Sequence, residues 1–338
     1  MRENVAFDSG GAVVKAGRVD VTIAILTYNG ETYLGRILDA VERQVFDGVV
    51  EVLVIDSGST DRTLDIVASH ANVRLHQIPN SEFGHGKTRN LAAELAHGEF
   101  VVYLTHDAVP VDDYWLSEML APFARFPLVE GVVGRQVPRA NCVPILKYEI
   151  DRVFSTQGPE FGTTVTYLDG AFDRHPHYWL PGAFYSDVNS AARRSFLVET
   201  VPYRDVEYAE DQLFGHDVLA AGRYKAYAAR GAVEHSNDLT YREYKKRIFD
   251  EIVGLRASGA TVPPPPSGIR RVVRALVLDP ADILQDKQFS AGRKLYWLLV
   301  NPFYHLAKAR AGRRARRISL TDSRAIASGS LESERRGS

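Results

Sequence analysis

Two alternating patterns of apolar and polar positions fill the N-terminal third of the chain. Runs of β-branched and other apolar residues predict four buried strands, at Val19–Asn29, Val49–Asp56, Val73–Ile78 and Glu99–Asp107. Between these runs, apolar residues recur at spacings of three and four, which predicts helices, one of them over Gly86–Gly98. Strands and helices that alternate with short connections indicate a parallel sheet with helices on both faces.

Polar side chains stand where three of these strands end. They form three groups: Thr27, Tyr28 and Asn29; Asp56 and Ser57; His106 and Asp107. In open α/β sheets, ligands bind outside the carboxyl ends of the strands, so we expect the three groups to border one ligand site. Taken alone, Asp107 could equally cap the turn that follows it, because Asp is common at such positions.

The second half of the chain is less regular. We expect a strand from about Ala183, a helix over residues 209–222 with Glu210 and Asp211 in its first turn, and two short extended pieces that end at His235. The two acids could be there only because a helix dipole favours carboxylates at its N-terminus. A lone His at a strand end could likewise be a hydrogen-bonded structural residue.

These carboxylates and the histidine would form a chemical site if they met in one cleft. Carboxylate and imidazole ligands together suit a divalent cation, and bound phosphates would supply its remaining ligands. A second carboxylate kept off the cation could act as a general base. Asp107, Glu210, Asp211 and His235 therefore indicate metal-assisted transfer on a phosphorylated ligand, without identifying the transferred group.

Composition is that of a globular protein and hides a charge asymmetry. The 338 residues are 45% hydrophobic with a net charge of −1, which excludes a fibrous or wholly disordered chain. From Gly268 onward there are 15 Lys and Arg against 6 Asp and Glu, which leaves 26 against 36 before it. The single cysteine, Cys142, rules out an internal disulfide framework and favours a reducing compartment.

The basic C-terminal part mixes aromatic and aliphatic residues with Arg and Lys, as in "KLYWLLVNPFYHLAKARAGRRARR". A helix of this composition is typical of an anionic membrane surface, although a docked helical hairpin with a solvated basic face would look the same. No segment reaches about 18 uninterrupted apolar residues, and the N-terminus has no signal-like apolar core. We expect a cytoplasmic protein, peripheral on the inner face of the membrane, with no nucleic-acid partner because no recognition fold accompanies the basic run.

Seven blocks in order resemble the inverting family 2 glycosyltransferases of GT-A fold, and in particular the bacterial branch that uses dTDP-L-rhamnose. They span about residues 19 to 250 and read "ILTYNGETYLGRILDAVERQ", "VLVIDSGSTDRTLDIV", "EFGHGKTRNLAAELAHGEFVVYLTHDAVPVDDYWL", "GVVGRQVPR", "SDVNSAARRSF", "YAEDQLFGHDVLAAGRYKAY" and "VEHSNDLT". The resemblance implies a Rossmann-like mixed, mainly parallel sheet flanked by helices, with a C-terminal helical basic appendage.

The resemblance also implies roles for the strand-end residues. The nucleotide-binding residues would be Thr27, Tyr28, Asn29, Asp56, Ser57, Arg89, His106 and Asp107. Ser57 stands where the wider family has a second acid that reads the base, and His106 replaces an acid of the metal motif. The guanidinium of Arg89 would suit a phosphate or the base.

The resemblance also implies which residues bind the metal and which carry out catalysis. Asp107 would bind Mg²⁺ or Mn²⁺, with His235 completing the metal shell, so that metal affinity is weak until the nucleotide diphosphate adds ligands. Asp211, beside Glu210, would be the base that deprotonates the acceptor hydroxyl as its oxygen attacks the anomeric carbon in line. A single displacement inverts the configuration.

The implied function is transfer of L-rhamnose from dTDP-L-rhamnose to a cell-surface polysaccharide or a lipid-linked glycan. A UDP- or GDP-sugar donor, or a non-catalytic sugar-nucleotide-binding protein, are the alternatives; a nicotinamide-dependent oxidoreductase lacks support because the first βα turn has no Gly-x-Gly-x-x-Gly. The expected organisation is an N-terminal flexible arm (1–18), a GT-A domain (19–260) with a nucleotide-binding half (19–137) and an acceptor half (138–260), a Pro-rich linker (261–268), a basic helical segment (269–317) and a disordered tail (318–338).

Overall fold

Four parallel strands form one side of the sheet, as the apolar runs predict. The computed structural model describes residues 19–168, 181–258, 262, 265 and 268–336. The four strands are β1 (Val21–Thr27), β2 (Val50–Asp56), β3 (Val73–Gln77) and β4 (Phe100–Thr105), and they lie in the order β3-β2-β1-β4. All three pairings among them are parallel.

The other side of the sheet mixes strand directions. It contains β5 (Val109–Pro110), β6 (Val129–Val137), β7 (Thr163–Thr166), β8 (Asn189–Arg193) and β9 (Tyr224–Glu234). After β4 the order continues β8-β6-β9-β5, and β7 also pairs with β9. β8 is antiparallel to both β4 and β6, whereas β6 and β9 are parallel. The described sheet is therefore mixed, and its parallel pairings do not outnumber the antiparallel ones.

Eight α-helices precede the C-terminal appendage in the part of the chain that the structure describes. They are α1 (Leu34–Glu42), α2 (Thr63–Ala68), α3 (His85–Leu95), α4 (Trp115–Arg125), α5 (Pro144–Ser155), α6 (Arg194–Glu199), α7 (Glu210–Ala220) and α8 (Tyr241–Ala257). Alternate residues of one strand serve the two faces of the sheet: Ile23 and Ile25 pack into one core cluster and Ala24 into the other, all fully buried. Burial on both faces explains why these strands read as continuous apolar runs.

Two expectations for the second half differ from the structure. The strand expected from about Ala183 begins at Asn189, and the two extended pieces expected before His235 are one eleven-residue strand, β9. Gly231 lies within this strand, and a Cβ there would lie 2.6 Å from the sulfur of Met119. The glycine therefore permits close helix–strand packing inside a continuous strand.

The C-terminal appendage is a set of helices packed on α8 and α5. A continuous helical stretch comprises α9 (Gly268–Val273), a π-helical turn over Arg274–Leu278 and α10 (Asp279–Gln285); α11 (Ala291–Arg317), α12 (Ser323–Gly329) and α13 (Leu331–Arg336) follow. No helix in the described part of the chain is long and apolar enough to cross a membrane.

The disordered tail expected over 318–338 is wrong for most of that segment, because α12 and α13 form there. Leu331 is buried in a core cluster, and its backbone N–H donates to Asp250 Oδ2 (2.8 Å). The apolar residues of this segment are too few to indicate a core from the sequence alone. They are buried because α8 supplies the facing surface. The arm expected over 1–18 lies outside the described residues, as do five of the eight residues of the linker expected over 261–268.

Because α11 is packed against the rest of the protein, substitutions at two nearby positions of this helix should differ in their effect on the free energy of unfolding. Trp297 is 6% exposed in a cluster with Tyr148 and Tyr304, whereas Leu299 is 66% exposed. Trp297→Ala should lower the free energy of unfolding by about 3–5 kcal/mol, because a large side chain leaves a cavity. Leu299→Ala should change it by less than about 0.5 kcal/mol. Denaturant titration measures both, and equally small effects would contradict a docked appendage.

Candidate active site

The carboxyl ends of β1, β2 and β4 lie side by side. In the sheet register, Thr27 of β1 is opposite Asp56 of β2, and Leu26 of β1 is opposite Thr105 of β4. The polar groups that follow these strands therefore share one edge, as the sequence predicts. His106 packs directly on the first loop: a Cβ at Gly30 would be 3.1 Å from the Cβ of His106.

Asp56 organises the loop after β2 and is fully buried. Its Oδ1 accepts hydrogen bonds from the backbone N–H groups of Gly58 and Ser59 (3.0 Å each), and its Oδ2 accepts from Thr27 Oγ1 (3.0 Å) and from the Ser59 hydroxyl. Ser57 is also buried, and its hydroxyl donates to the Thr27 carbonyl (3.2 Å). These contacts hold the loop in shape from within.

Tyr28 and Asn29, in the loop directly after β1, are open to solvent at this edge of the sheet. Asn29 is exposed with a positive φ of 50°, and its Oδ1 accepts from the backbone N–H of Thr60 (2.8 Å). Tyr28 is partly exposed. Tyr28 and Asn29 are thus better placed to touch a nucleotide than Thr27, Asp56 or Ser57, whose roles as direct ligands remain predictions.

Asp107 and His235 meet because β5 and β9 pair. β5 begins two residues after Asp107, and its Val109 lies opposite Glu234, the residue before His235. His235 Nε2 is 3.4 Å from Asp107 Oδ2, and Asp107 Oδ1 accepts from Thr105 Oγ1 (2.8 Å). Burial would raise the pKa of Asp107, but His235 and then His106 outweigh it and hold that pKa below its usual value.

The pair fits a divalent cation. His235 Nδ1 lies 3.1 Å from Gln136 Oε1, which can only accept, so Nδ1 carries a proton. A protonated ring pairs directly with the Asp107 carboxylate, whereas a neutral ring turns the lone pair of Nε2 toward it, and a cation between the two then satisfies both. Adjacent ligands of an octahedral ion at about 2.1 Å are roughly 3 Å apart, close to the observed separation.

Asp107 and His235 are the two candidate ligands that the described residues bring together there, so an ion would need oxygen ligands from elsewhere. Among the described residues, the one cluster of three potential ligands lies on the surface and consists of Asp39, Glu42 and His70. The sheet-edge pair is therefore a partial coordination shell, of the kind that a diphosphate or water completes.

Arg139 supports this edge and was assigned no role from the sequence. Its guanidinium donates to the backbone carbonyls of Asp107 and Ser236, forms an ion pair with Asp238 (3.3 Å) and stacks 3.8 Å over the ring of Tyr33. The Tyr33 hydroxyl donates to Asp238 in turn. Arg139 thus joins the loop after β1, the Asp107 turn and the end of β9.

Glu210 and Asp211 open α7, and a buried arginine determines their surroundings. Arg89 on α3 forms ion pairs with Glu210 and with Asp187 (Nε to Oδ2, 3.0 Å), and all three side chains are at most 8% exposed. Asp187 also accepts from Ser190 Oγ (2.6 Å) and from the Tyr203 hydroxyl (2.8 Å) through Oδ1. Arg89 is fully engaged with these acids, so its contact with a nucleotide stays a prediction.

Asp211 is the carboxyl of this cluster that Arg89 does not pair. Burial, then the negative charges of Glu210 and Asp187, raise the pKa of Asp211 to about 8, against the opposing effect of Arg89. Its Oδ2 lies 3.4 Å from the backbone N of Asp187, which donates to it. A carboxyl that exchanges its proton near neutral pH is suited to general-base catalysis.

A chain of contacts connects the Asp107–His235 pair with Asp211. From Asp107 it runs through His235 to Gln136, whose Nε2 donates to Ser186 Oγ (3.0 Å), and the backbone N–H of the next residue, Asp187, donates to Asp211. The structure thus pairs Asp107 with His235 and places Glu210 and Asp211 together at the start of α7, whereas the catalytic and metal-binding roles of these four residues stay predictions. It adds Gln136, Arg139 and Asp187, which stand within blocks of the resemblance but carry no pattern that would single them out.

Comparison with known proteins places the chain among glycosyltransferases. The Glycosyl transferase family 2 signature matches residues 22–184. The O-antigen chain rhamnosyltransferase RfbN of Salmonella typhimurium is 29% identical over 232 residues, and WbaN of Salmonella anatum, which has the same description, is 30% identical over 232 residues. Each match covers 68% of this chain and 70% of the relative.

A solved structure shares the fold. The mannosyltransferase PcManGT from Pyrobaculum calidifontis, in complex with GDP-Man and Mn²⁺, superposes with a TM-score of 0.53 at 21% identity, over 93% of this chain and 80% of that one. At this identity the match speaks for the fold alone, and it confirms the predicted GT-A architecture.

Removal of Arg89 should expose how strongly the site depends on it. Arg89→Met leaves Asp187 and Glu210 buried without a counter-charge, so we expect a loss of about 3–5 kcal/mol in the free energy of unfolding. Without Arg89, the folded protein keeps these acids protonated at pH values at which the unfolded chain has already released the protons. The loss in the free energy of unfolding should therefore grow as pH rises and shrink as pH falls.

Chemical denaturation at mildly acidic and mildly alkaline pH tests this. The matched control is Arg204→Met, which breaks an ion pair between Asp217 and a half-exposed arginine and should cost roughly 0–1 kcal/mol. A loss for Arg89→Met that is no larger than the control's, or that is independent of pH, would show that the cluster does not depend on Arg89.

Proposed function

The chain belongs to glycosyltransferase family 2, and we propose that it transfers L-rhamnose from dTDP-L-rhamnose to a cell-surface polysaccharide or its lipid-linked precursor. The observation that carries the chemistry is the connected line from the Asp107–His235 pair to the high-pKa carboxyl of Asp211. The choice of rhamnose is supported by the similarity to the two O-antigen chain rhamnosyltransferases.

Transfer proceeds by one displacement with inversion. The acceptor hydroxyl oxygen attacks the anomeric carbon of the sugar while the bond from that carbon to the diphosphate oxygen breaks, and its electron pair leaves with dTDP. Asp211, as carboxylate, takes the hydroxyl proton at the moment of attack. Glu210, held by Arg89, keeps the start of α7 in place so that Asp211 stays directed at the acceptor.

Asp107 and His235 are the residues that would hold Mg²⁺ or Mn²⁺ in this enzyme. The ion supplies charge neutralisation at the diphosphate. Asp107 stays ionised because its pKa is held low, and Gln136 fixes the ring of His235. Tyr28 and Asn29 on the open rim, with His106 behind them, border the space for the nucleotide.

We further infer that the appendage lies against a membrane. Large apolar side chains are exposed along α9, the π-helical turn and α11, at Ile269, Leu276, Val277, Leu295, Leu299 and Phe303. The same helices carry the basic residues that the sequence concentrates after Gly268. Exposed apolar surface flanked by cations suits an anionic bilayer interface, where a lipid-linked acceptor would also reside.

A nucleotide panel tests the donor and the metal together. Thermal unfolding with dTDP, UDP, GDP or CDP, each with and without Mn²⁺, should show selective stabilisation by dTDP with Mn²⁺, and little by Mn²⁺ alone. Asp107→Ala should abolish the Mn²⁺-dependent part. Asp39→Ala, which removes a ligand of the surface cluster, should leave it unchanged. Preference for UDP or GDP would replace the dTDP assignment, and a Mn²⁺ effect retained in Asp107→Ala would refute the metal site.

The base assignment predicts a pH dependence. For the free enzyme, kcat/KM for rhamnosyl transfer should rise with pH to a plateau above about 8, because Asp211 must lose its proton. Glu210→Gln should move that rise to lower pH, since it removes a negative charge that raises the pKa of Asp211. Asp211→Asn should bind dTDP normally yet turn over about 10²–10⁴-fold more slowly. A profile unaltered by Glu210→Gln, or near-normal turnover in Asp211→Asn, would exclude Asp211 as the base.

A further inference from the structure

A cationic cavity lies in the appendage, away from the strand ends. It has a volume of about 470 Å³ and is formed by α8, α11 and the end of α12. Five of its lining residues are basic: Arg242, Lys245, Lys246, Arg310 and Arg314. None of the described lining residues is acidic. Cations gathered around one space repel each other, so the arrangement favours a bound anion.

The cavity has a fixed floor. Phe249 of α8 and Gly329 at the end of α12 meet so closely that a Cβ on Gly329 would be 2.7 Å from the Phe249 ring. The guanidinium of Arg314 lies 5.2 Å over the same ring and donates to Ser328 Oγ (2.9 Å). One wall of the cavity is therefore the guanidinium of Arg314, which the ring of Phe249 and the hydroxyl of Ser328 hold in place.

The cations are only partly neutralised within the protein. Glu334 of α13 forms ion pairs with Arg242 and Lys246, each at 2.8 Å. Among the described residues, Lys245 and Arg310 form no ion pair, and both are exposed. An anion could therefore bind these two side chains and Arg314 without displacing Glu334.

An exposed apolar stripe on α11 leads to this cavity. Leu295, Leu299, Phe303 and Leu306 recur at spacings of four, four and three and are 40–66% exposed. Arg310 follows four residues after Leu306, about 6 Å further along the helix. Along α11, apolar side chains thus lie next to basic side chains, just as the acyl chains of a lipid lie next to its phosphate.

We propose that the cavity binds the phosphate group of a membrane lipid whose apolar chain lies along the α11 stripe. This rests on the proposed membrane association and gives it a specific site. Guanidinium groups bind phosphate oxygens through paired N–H donors, and a Lys ammonium adds a charge that adapts its position. The apolar stripe selects a phosphate carried by a lipid over a free one.

A charge-matched pair of variants separates a site from general attraction. The cavity variant is Lys245→Gln with Arg310→Gln. The control is Arg313→Gln with Arg317→Gln, which removes the same charge from exposed arginines of α11 that do not line the cavity. Both variants should keep the thermal unfolding midpoint that the unaltered protein shows without ligand, which shows that they fold and keeps this test independent of the donor assignment.

Binding of the full-length protein is measured by co-sedimentation with phosphatidylcholine vesicles with and without phosphatidylglycerol, and by thermal unfolding in inorganic phosphate. We expect the cavity variant to bind the phosphatidylglycerol vesicles at least about tenfold more weakly than the control variant, beyond the loss common to any two surface charges. Equal losses in the two variants would overturn the proposal. So would a cavity-dependent response to inorganic phosphate without one to vesicles, since the ligand would then be a soluble anion.

Discussion

One buried guanidinium sets the electrostatics of the catalytic half. Arg89 neutralises Asp187 and Glu210 where α3, the segment before β8 and α7 converge, and these charges could not be buried without it. Arg89 is one cation among three neighbouring carboxyl groups, and it leaves one of them without an ion pair. That carboxyl is Asp211, whose raised pKa follows from its burial and from these neighbours. A structural ion pair and a functional pKa are therefore two results of one arrangement.

The metal half of the site has the opposite electrostatics. Asp107 faces an imidazole instead of other carboxylates, so its pKa is lowered while that of Asp211 is raised. Two carboxyl groups with pKa values pushed apart can serve different functions at one pH, one as a permanent anion and one as a proton acceptor. The hydrogen bonds through Gln136 and Ser186 keep the halves in a fixed relation.

The sequence predicts the parallel half of the sheet well because each strand there is buried on both faces, and its apolar run is unmistakable. It also predicts that Asp107 follows β4 and that Asp211 lies in the first turn of α7, because both stand at element ends within recognisable blocks. It does not predict Asp187 or Arg139, because their importance comes from partners such as Arg89 and Tyr33 that are distant in sequence. The sequence does not predict the C-terminal helices for a related reason. Residues such as Leu331 are buried only because α8 provides the facing surface. Patterns along a chain report local periodicity, whereas ion pairs and docked helices depend on tertiary contacts.

The link between β9 and α8 connects the sheet edge to the appendage. α8 begins six residues after His235, and its first turn is fixed by a capping box between Thr240 and Glu243. Between them, Asp238 is held by Arg139 and Tyr33, so the helix cannot swing freely relative to the metal pair. Arg242 is seven residues after His235, which limits their Cα atoms to at most about 25 Å apart. The cationic cavity of the appendage and the sheet edge are therefore tied together by a short, braced segment. If the proposed lipid phosphate binds in that cavity, this segment fixes its maximum distance from the Asp107–His235 pair.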